Sequence, residues 1–126
     1  MQRAIKKIGL IFLALFMLLT VCACAPSSIK AAQKHLKREG YTVTAVKEYG
    51  KDSDEYIYEG KKGYITAKET FYGLGWKLEA HLFVSGAVAN EHYDELNIPS
   101  SAHVNKKGGW IAWGDQIAVE LFLKNM

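Results

Sequence analysis

Apolar and polar residues follow two different periods along this chain of 126 residues. Ile29, Ala32 and Leu36 are spaced as on one face of a helix, and Gly40 supplies a stop after it. We therefore predict an amphipathic helix over residues 28–39. The opposite face of this helix is basic and carries Lys30, Lys34, Lys37 and Arg38.

The period changes to two after this helix, which is the pattern of strands. The clearest alternation covers residues 76–84, where one face is apolar and the other is mostly polar. The glycines at both ends of residues 60–63 indicate a tight hairpin. Residues 90–108 are the least regular stretch and are mostly loop, with a helical turn at 91–96. Strands are predicted over residues 41–49, 55–59, 64–72, 76–84, 87–89, 110–113 and 117–123.

One helix followed by five to seven antiparallel strands indicates an α+β fold. The simplest arrangement packs the N-terminal helix across a curved antiparallel sheet, because both elements then bury their apolar faces. A small β-sandwich or barrel with a capping helix is the alternative. Residues 29–126 are long enough for one domain with one modest core.

The N-terminus has a different pattern, since Arg3, Lys6 and Lys7 precede an apolar run over residues 8–19. A positive segment, an apolar segment and small residues at a cut site together make a secretory signal. The run also fits an uncleaved anchor, because residues 8–25 carry no charge and are just long enough to span a bilayer. Both interpretations place the rest of the chain on the extracytoplasmic side.

The apolar run ends in Val21-Cys22-Ala23-Cys24, which resembles the lipobox of bacterial lipoproteins. The resemblance implies that a thioether-linked diacylglyceryl group is attached to Cys24 and that the signal is cleaved just before it. The alternative register places the lipid on Cys22. We therefore expect a signal peptide over residues 1–23, a lipidated tether over 24–28 and one extracytoplasmic domain over 29–126. Acyl chains such as palmitate would hold this domain at the cell membrane, where two chains give stable anchoring.

Charge and cysteine content limit what the mature domain does. The chain has 16 basic and 13 acidic residues, and loss of Arg3, Lys6 and Lys7 with the signal leaves 13 of each. A neutral domain lacks the basic surface of a nucleic-acid-binding protein, so no nucleic acid is expected as a partner. Cys22 and Cys24 are the only cysteines, so the mature domain has no disulfide. In this layout alone it resembles small uncharacterised lipoproteins of Gram-positive bacteria.

The imidazoles are the side chains most able to carry chemistry. His81, His92 and His103 are weak candidates for a metal site, because their spacing matches no known ligand motif. Serines precede His103, yet no strand-elbow motif surrounds any serine. We therefore predict no metal, no cofactor and no enzyme activity.

Two surfaces are candidates for contact with other molecules. Four tyrosines are predicted to stand on strand faces as exposed rows that would suit a protein or a cell-wall glycan. Cross-strand pairing that only stabilises the sheet is the alternative. These residues are Tyr56, Tyr58, Tyr64 and Tyr72. The second surface is the basic helix face, which begins a few residues from the predicted lipid and would meet anionic headgroups.

Three functions remain as hypotheses. The first is a membrane-anchored, non-catalytic binding module at the cell surface. The second is an immunity or inhibitor lipoprotein against a bacteriocin, a phage factor or a muralytic enzyme, with residues 97–109 as a protruding loop. The third is a small metal-dependent enzyme built around His81, His92 and His103.

Overall fold

The structure is a computed structural model that describes residues 25–124. The predicted signal, Cys22 and Cys24 lie outside the described residues. Within them, no helix is both long enough and apolar enough to span a bilayer.

The described residues form four α-helices, one 3₁₀ turn and five strands. They are α1 (Ile29–Arg38), β1 (Tyr41–Glu48), α2 (Asp54–Ile57), β2 (Lys61–Glu69), β3 (Lys77–Phe83), α3 (Gly86–Glu91), a 3₁₀ turn (Tyr93–Leu96), β4 (His103–Lys107), β5 (Trp110–Gly114) and α4 (Gln116–Lys124). The five strands of this part of the chain form one open antiparallel sheet in the order β1-β2-β3-β5-β4. This confirms the prediction of an α+β fold with a helix packed on an antiparallel sheet.

Helix α1 forms as its sequence predicts. The hydroxyl of Ser28 caps it by accepting a hydrogen bond from a first-turn N–H at 3.1 Å. Ile29, Ala32 and Leu36 are buried against the sheet, as their spacing requires. The chain then turns at Gly40, whose φ of +87° favours glycine.

Helices α1 and α4 cover one face of the sheet, which we call the helix face. The main core lies between them and the strands, and the rings of Trp110 and Phe122 meet edge to face at 4.9 Å within it. Its buried residues are Ile29, Ala32, Leu36, Tyr41, Ile65, Ala67, Leu78, Ala80, Leu82, Trp110, Ala112, Ala118, Val119, Phe122 and Leu123.

The opposite face of the sheet, which we call the groove face, is only partly covered. Helix α3 and residues 93–102 pack there against a smaller core that includes Phe83, Ile111 and Trp113. Over β1 and β2 the same face is open, and Thr44 and Lys68 are exposed on it. Uneven cover of this kind leaves a groove beside the covered half.

Two short segments predicted as strands are helices. Of the predicted strand 55–59, residues 55–57 lie in α2 and residues 58 and 59 form a turn, and residues 87–89 belong to α3. In each case a serine precedes the helix, and the hydroxyl of Ser53 or Ser85 accepts a backbone hydrogen bond from the first turn. The caps overrode the β-branched and aromatic composition on which the strand predictions depended.

The predicted final strand over residues 117–123 is helix α4. Its fully buried side chains are spaced i, i+1, i+4, i+5, which is the period of one helix face and not of a strand. They are Ala118, Val119, Phe122 and Leu123. The segment is apolar on nearly all sides, so its sequence fits the spacing of a strand as well as that of a helix, and the strand prediction was wrong.

The predicted hairpin at residues 60–63 is also wrong. Lys61, Lys62 and Gly63 lie inside β2, and the connection from β1 runs through α2 instead. Residues 97–109 do not form one protruding loop, because β4 occupies His103–Lys107 and the chain turns after it. The structural expectation attached to the immunity hypothesis is therefore not met in that form.

Candidate functional site

A groove of about 590 Å³ runs over the open part of the groove face. Thr66, Glu79 and Trp113 are register partners on β2, β3 and β5, so they share this face and form the floor. Pro99 and Ser101 form one wall, because residues 93–102 pack on the smaller core beside the groove. The covered half of the sheet thus supplies the wall, and the uncovered half supplies the floor.

Threonine pairs give the open half of the groove face its polar character. The Oγ1 atoms of Thr44 and Thr66 are 2.8 Å apart, and those of Thr42 and Thr70 are 3.1 Å apart. A hydroxyl that donates to another retains a lone pair, so each pair can still accept a hydrogen bond from a ligand. Of these residues, Thr44 and Thr66 line the groove and Thr42 does not.

Charges of both signs line the same groove. Lys68 and Lys77 face each other across β2 and β3, and Glu79 follows on β3. Asp115 is held in place because its carboxylate accepts a hydrogen bond from the N–H of Lys77 at 2.7 Å. The groove therefore offers ammonium, carboxylate and hydroxyl groups within one polar surface.

An aromatic stack borders the groove on the same face. The ring of His81 lies between those of Tyr64 and Trp113, with centroid distances of 5.3 and 5.0 Å. Its Nε2 is 2.8 Å from the carboxylate of Glu79. Burial lowers the pKa of His81, and the contact with Glu79 offsets only part of this, so the ring is neutral at neutral pH. The stack therefore supports Trp113, which is the member that lines the groove.

A second unusual feature is the loop over residues 70–75, between β2 and β3, with a buried carboxylate beneath it. Glu69 is only 2% exposed, and its oxygens accept hydrogen bonds from the backbone N–H groups of Tyr72, Leu74 and Gly75. Burial raises the pKa of this carboxyl, but the hydrogen bonds from the loop outweigh burial and hold its pKa below the ordinary value. The carboxylate stays charged and organises the loop.

The four tyrosines predicted as a binding face do not share one. Tyr56 lies in α2 and Tyr58 directly follows that helix. Tyr64 lies on the groove face, and Tyr72 lies in the 70–75 loop. The prediction assumed that residues 55–59 and 70–72 were strands, and neither is. Tyr58 and Tyr72 are nevertheless highly exposed, at 80% and 71%.

The structure does not gather His81, His92 and His103 into one cluster. His81 meets Glu79, and His103 meets Glu120 at 2.8 Å. Each of these imidazoles therefore has its own carboxylate partner.

One group among the described residues brings three potential metal ligands within 4.8 Å of one another, namely Glu59, His92 and Glu95. The Nδ1 atom of His92 lies 2.7 Å from the carboxylate of Glu95 and 3.6 Å from that of Glu59. Both carboxylates are about half exposed, and an ordinary hydrogen bond between His92 and Glu95 accounts for the shorter distance. We therefore do not assign a metal-binding role to these three residues.

The basic face of α1 is exposed as its sequence predicts. All four of its cations point away from the core, because the buried residues of the helix lie on the other side. They are Lys30, Lys34, Lys37 and Arg38.

The start of the described chain is attached to the domain. The indole N–H of Trp110 donates a hydrogen bond to the carbonyl of Pro26 at 2.6 Å, and Ala25 packs against the main core. The predicted tether is thus docked on the sheet from residue 25 onward.

Sequence reasoning missed Glu69, Phe71 and Leu74. A signal for the loop was present, because Phe71-Tyr72-Gly73-Leu74-Gly75 places large apolar residues among glycines, which rarely form a buried strand. Burial of Glu69 had no such signal, since it depends on the path of the loop backbone.

No family model, curated protein or solved structure shows a significant match to this chain. Its function must therefore be inferred from its own residues and geometry.

Proposed function

We propose that this chain is a lipoprotein anchored at the extracytoplasmic face of the cell membrane, and that its domain is a non-catalytic binding module. The observation that carries the binding role is the groove of about 590 Å³ on an otherwise open sheet face. Its mixed hydroxyl, ammonium and carboxylate lining fits a polar, extended ligand. A cell-wall glycan strand and a peptide segment of a partner protein both have this chemistry.

The covered and uncovered halves of the groove face support binding in a specific way. The stack of Tyr64 and His81 on Trp113 holds this floor residue in place, so little side-chain entropy is lost at Trp113 when a ligand binds. Thr44 and Thr66 offer hydroxyls beside it. Lys68 and Glu79 carry opposite charges, so they favour one orientation of a polar ligand in the groove.

The anchor is supported by the sequence of the N-terminal segment and by the docking of residues 25–28 on the sheet. It is tested by growth in labelled palmitate, followed by isolation of the chain. Label should appear in the natural chain and disappear in Cys24→Ala. Label that survives in Cys24→Ala but not in Cys22→Ala would move the lipid to Cys22, and no label in the natural chain would contradict lipid attachment.

The binding role is tested by chemical cross-linking in intact cells with two matched variants. Thr44→Trp places an indole in the groove, whereas Thr42→Trp makes the same change on the same face of β1, outside the groove lining. A ligand of the groove should be captured by the natural chain and by Thr42→Trp, and lost with Thr44→Trp. Equal capture by both variants would show that the groove is not where the ligand binds.

A further inference from the structure

The loop over residues 70–75 carries an exposed apolar tip. Phe71 and Tyr72 are 74% and 71% exposed, and Leu74 is 55% exposed. The two aromatic rings meet edge to face at 4.8 Å, so they form one compact apolar surface. Large apolar side chains presented together in this way mark a contact site.

The tip is held rigidly. The buried carboxylate of Glu69 accepts the N–H groups of three loop residues, and the N–H groups of Thr70 and Phe71 donate to the carbonyl of Gly40 at 2.9 and 3.0 Å. With its backbone groups bonded inward, the loop directs its side chains outward. Rigidity also lowers the entropy lost when the tip enters another phase.

Exposed cations lie on the α1 side of the tip. Lys37 and Arg38 lie in the last turn of α1, just before Gly40, on which Phe71 packs. Glu39 is the exposed carboxylate beside them, so this side of the tip carries more exposed positive than negative charge. Lys68 and its register partner Lys77 lie on the groove face and do not contribute to this side.

The other highly exposed tyrosine has a different setting and provides a comparison. Ile57 ends α2 and Tyr58 follows it. The depression beside them is lined by two carboxylates, of Glu59 and Glu91, and by one ammonium group, of Lys51. An anionic surface would therefore favour the tip of the 70–75 loop over the patch at Tyr58.

The tip and the tether lie at opposite ends of β2. Pro26 is bonded to Trp110 near the start of this strand, and the tip follows its last residue. The nine residues of β2 extend about 30 Å. A domain that stood upright on its tether would hold the tip well above the bilayer, whereas a domain lying on α1 brings both to the same plane.

We infer that the 70–75 loop inserts its apolar tip into the outer leaflet of an anionic membrane, with the basic face of α1 resting on the headgroups. This inference rests on the proposed anchoring, because the tether supplies the first point of attachment. The domain then lies flat, with α1 towards the lipid and the groove face towards the surroundings.

The test uses the full chain, purified with its anchor and reconstituted in phosphatidylcholine vesicles with or without phosphatidylglycerol. A photoreactive benzoylphenylalanine replaces Tyr72 in one sample and Tyr58 in a matched control. In vesicles with phosphatidylglycerol, position 72 should give at least about tenfold more phospholipid adduct than position 58. Lys37→Gln with Arg38→Gln should shift the docked equilibrium about thirtyfold towards the undocked state through the two lost charges.

Two outcomes would overturn the inference. Phospholipid adduct at position 58 equal to or above that at position 72 would mean that the domain stands on its tether. The same two photoreactive chains can also be irradiated in intact cells. If position 72 then formed an adduct with a protein and not with phospholipid, the tip would bind a partner protein and not the membrane.

Flotation of the vesicles separates this inference from the proposed anchoring. A chain that floats with the vesicles but gives no lipid adduct at position 72 refutes the insertion and leaves the anchor intact. A chain that does not float refutes both.

Discussion

Gly109→Ala is expected to destabilise the domain, and it tests the least local pairing in the sheet. Strands β3 and β5 are neighbours although α3 and β4 lie between them in sequence. A Cβ at residue 109 would overlap the carbonyl oxygen of Phe83 well inside 3.0 Å, a distance that real Cβ contacts essentially never go below. The obstacle is backbone, so the two strands must separate.

The magnitude follows from what that separation disrupts. Overpacking of a fitted interior costs about 1–3 kcal/mol, and loss of the 2.8 Å hydrogen bond from the N–H of Phe83 to Gly109 adds about 1 kcal/mol. Reduced entropy of the unfolded chain returns about 0.5 kcal/mol. The net loss in free energy of unfolding is about 1.5–3.5 kcal/mol, or roughly 6–28 °C in Tm for a domain of this size.

The assay is urea unfolding of the chain from Ala25 onward, followed by tryptophan fluorescence. Gly50→Ala is the matched control, because a Cβ there meets nothing within 4 Å, and its stability should stay within about 0.5 kcal/mol of the natural chain. If Gly109→Ala behaved like Gly50→Ala, the close pairing of β3 with β5 would be refuted.

The remaining predictions concern titration and the loop. Burial lowers the pKa of His35 and His81 below the ordinary value of 6.5, so the unfolded chain binds protons that the folded chain does not. The free energy of unfolding should therefore fall as pH drops below 6.5, and His81→Phe should flatten that fall; an unchanged slope in urea titrations would contradict this. Glu69→Gln should speed hydrogen exchange of the loop N–H groups at least about tenfold, whereas Glu48→Gln on exposed β1 should not. Because the pKa of Glu69 is lowered in the folded chain, its carboxylate contributes its full stabilisation above pH 4.5, the ordinary pKa of the group. That stabilisation is lost as the pH falls through the folded-state pKa. Equal exchange in both variants would show that the carboxylate does not hold the loop.

Elements with one unambiguous period could be predicted from the sequence. The i, i+3, i+7 spacing of Ile29, Ala32 and Leu36 gave α1, and the alternation around Leu78 and Ala80 gave β3 with its buried face. Each of these segments has one apolar face and one polar face, so only one secondary structure buries it correctly.

Elements without such contrast could not be predicted. Residues 117–123 are apolar on both possible strand faces and on the helix face. The helix is selected only because its buried side chains join the main core with those of the sheet and α1. Residues 55–59 form a helix too short for periodicity to show, so its serine cap was the one local signal. To predict the candidate groove, one must know both the order of the strands and the position of residues 93–102 on the sheet. Both depend on contacts between residues far apart in the sequence, so no local pattern indicates them.

The hydrogen bond from Trp110 to Pro26 limits how far the domain can travel. Under the lipid attachment proposed at Cys24, only Ala25 separates the lipidated cysteine from Pro26, and two residue steps along the chain extend about 7 Å. A tether of that length allows the domain almost no movement away from the membrane, whereas a long flexible linker lets a tethered domain sample a large volume. Under the proposed attachment, a ligand of the groove must approach the membrane surface to be bound, because the domain cannot extend away from that surface.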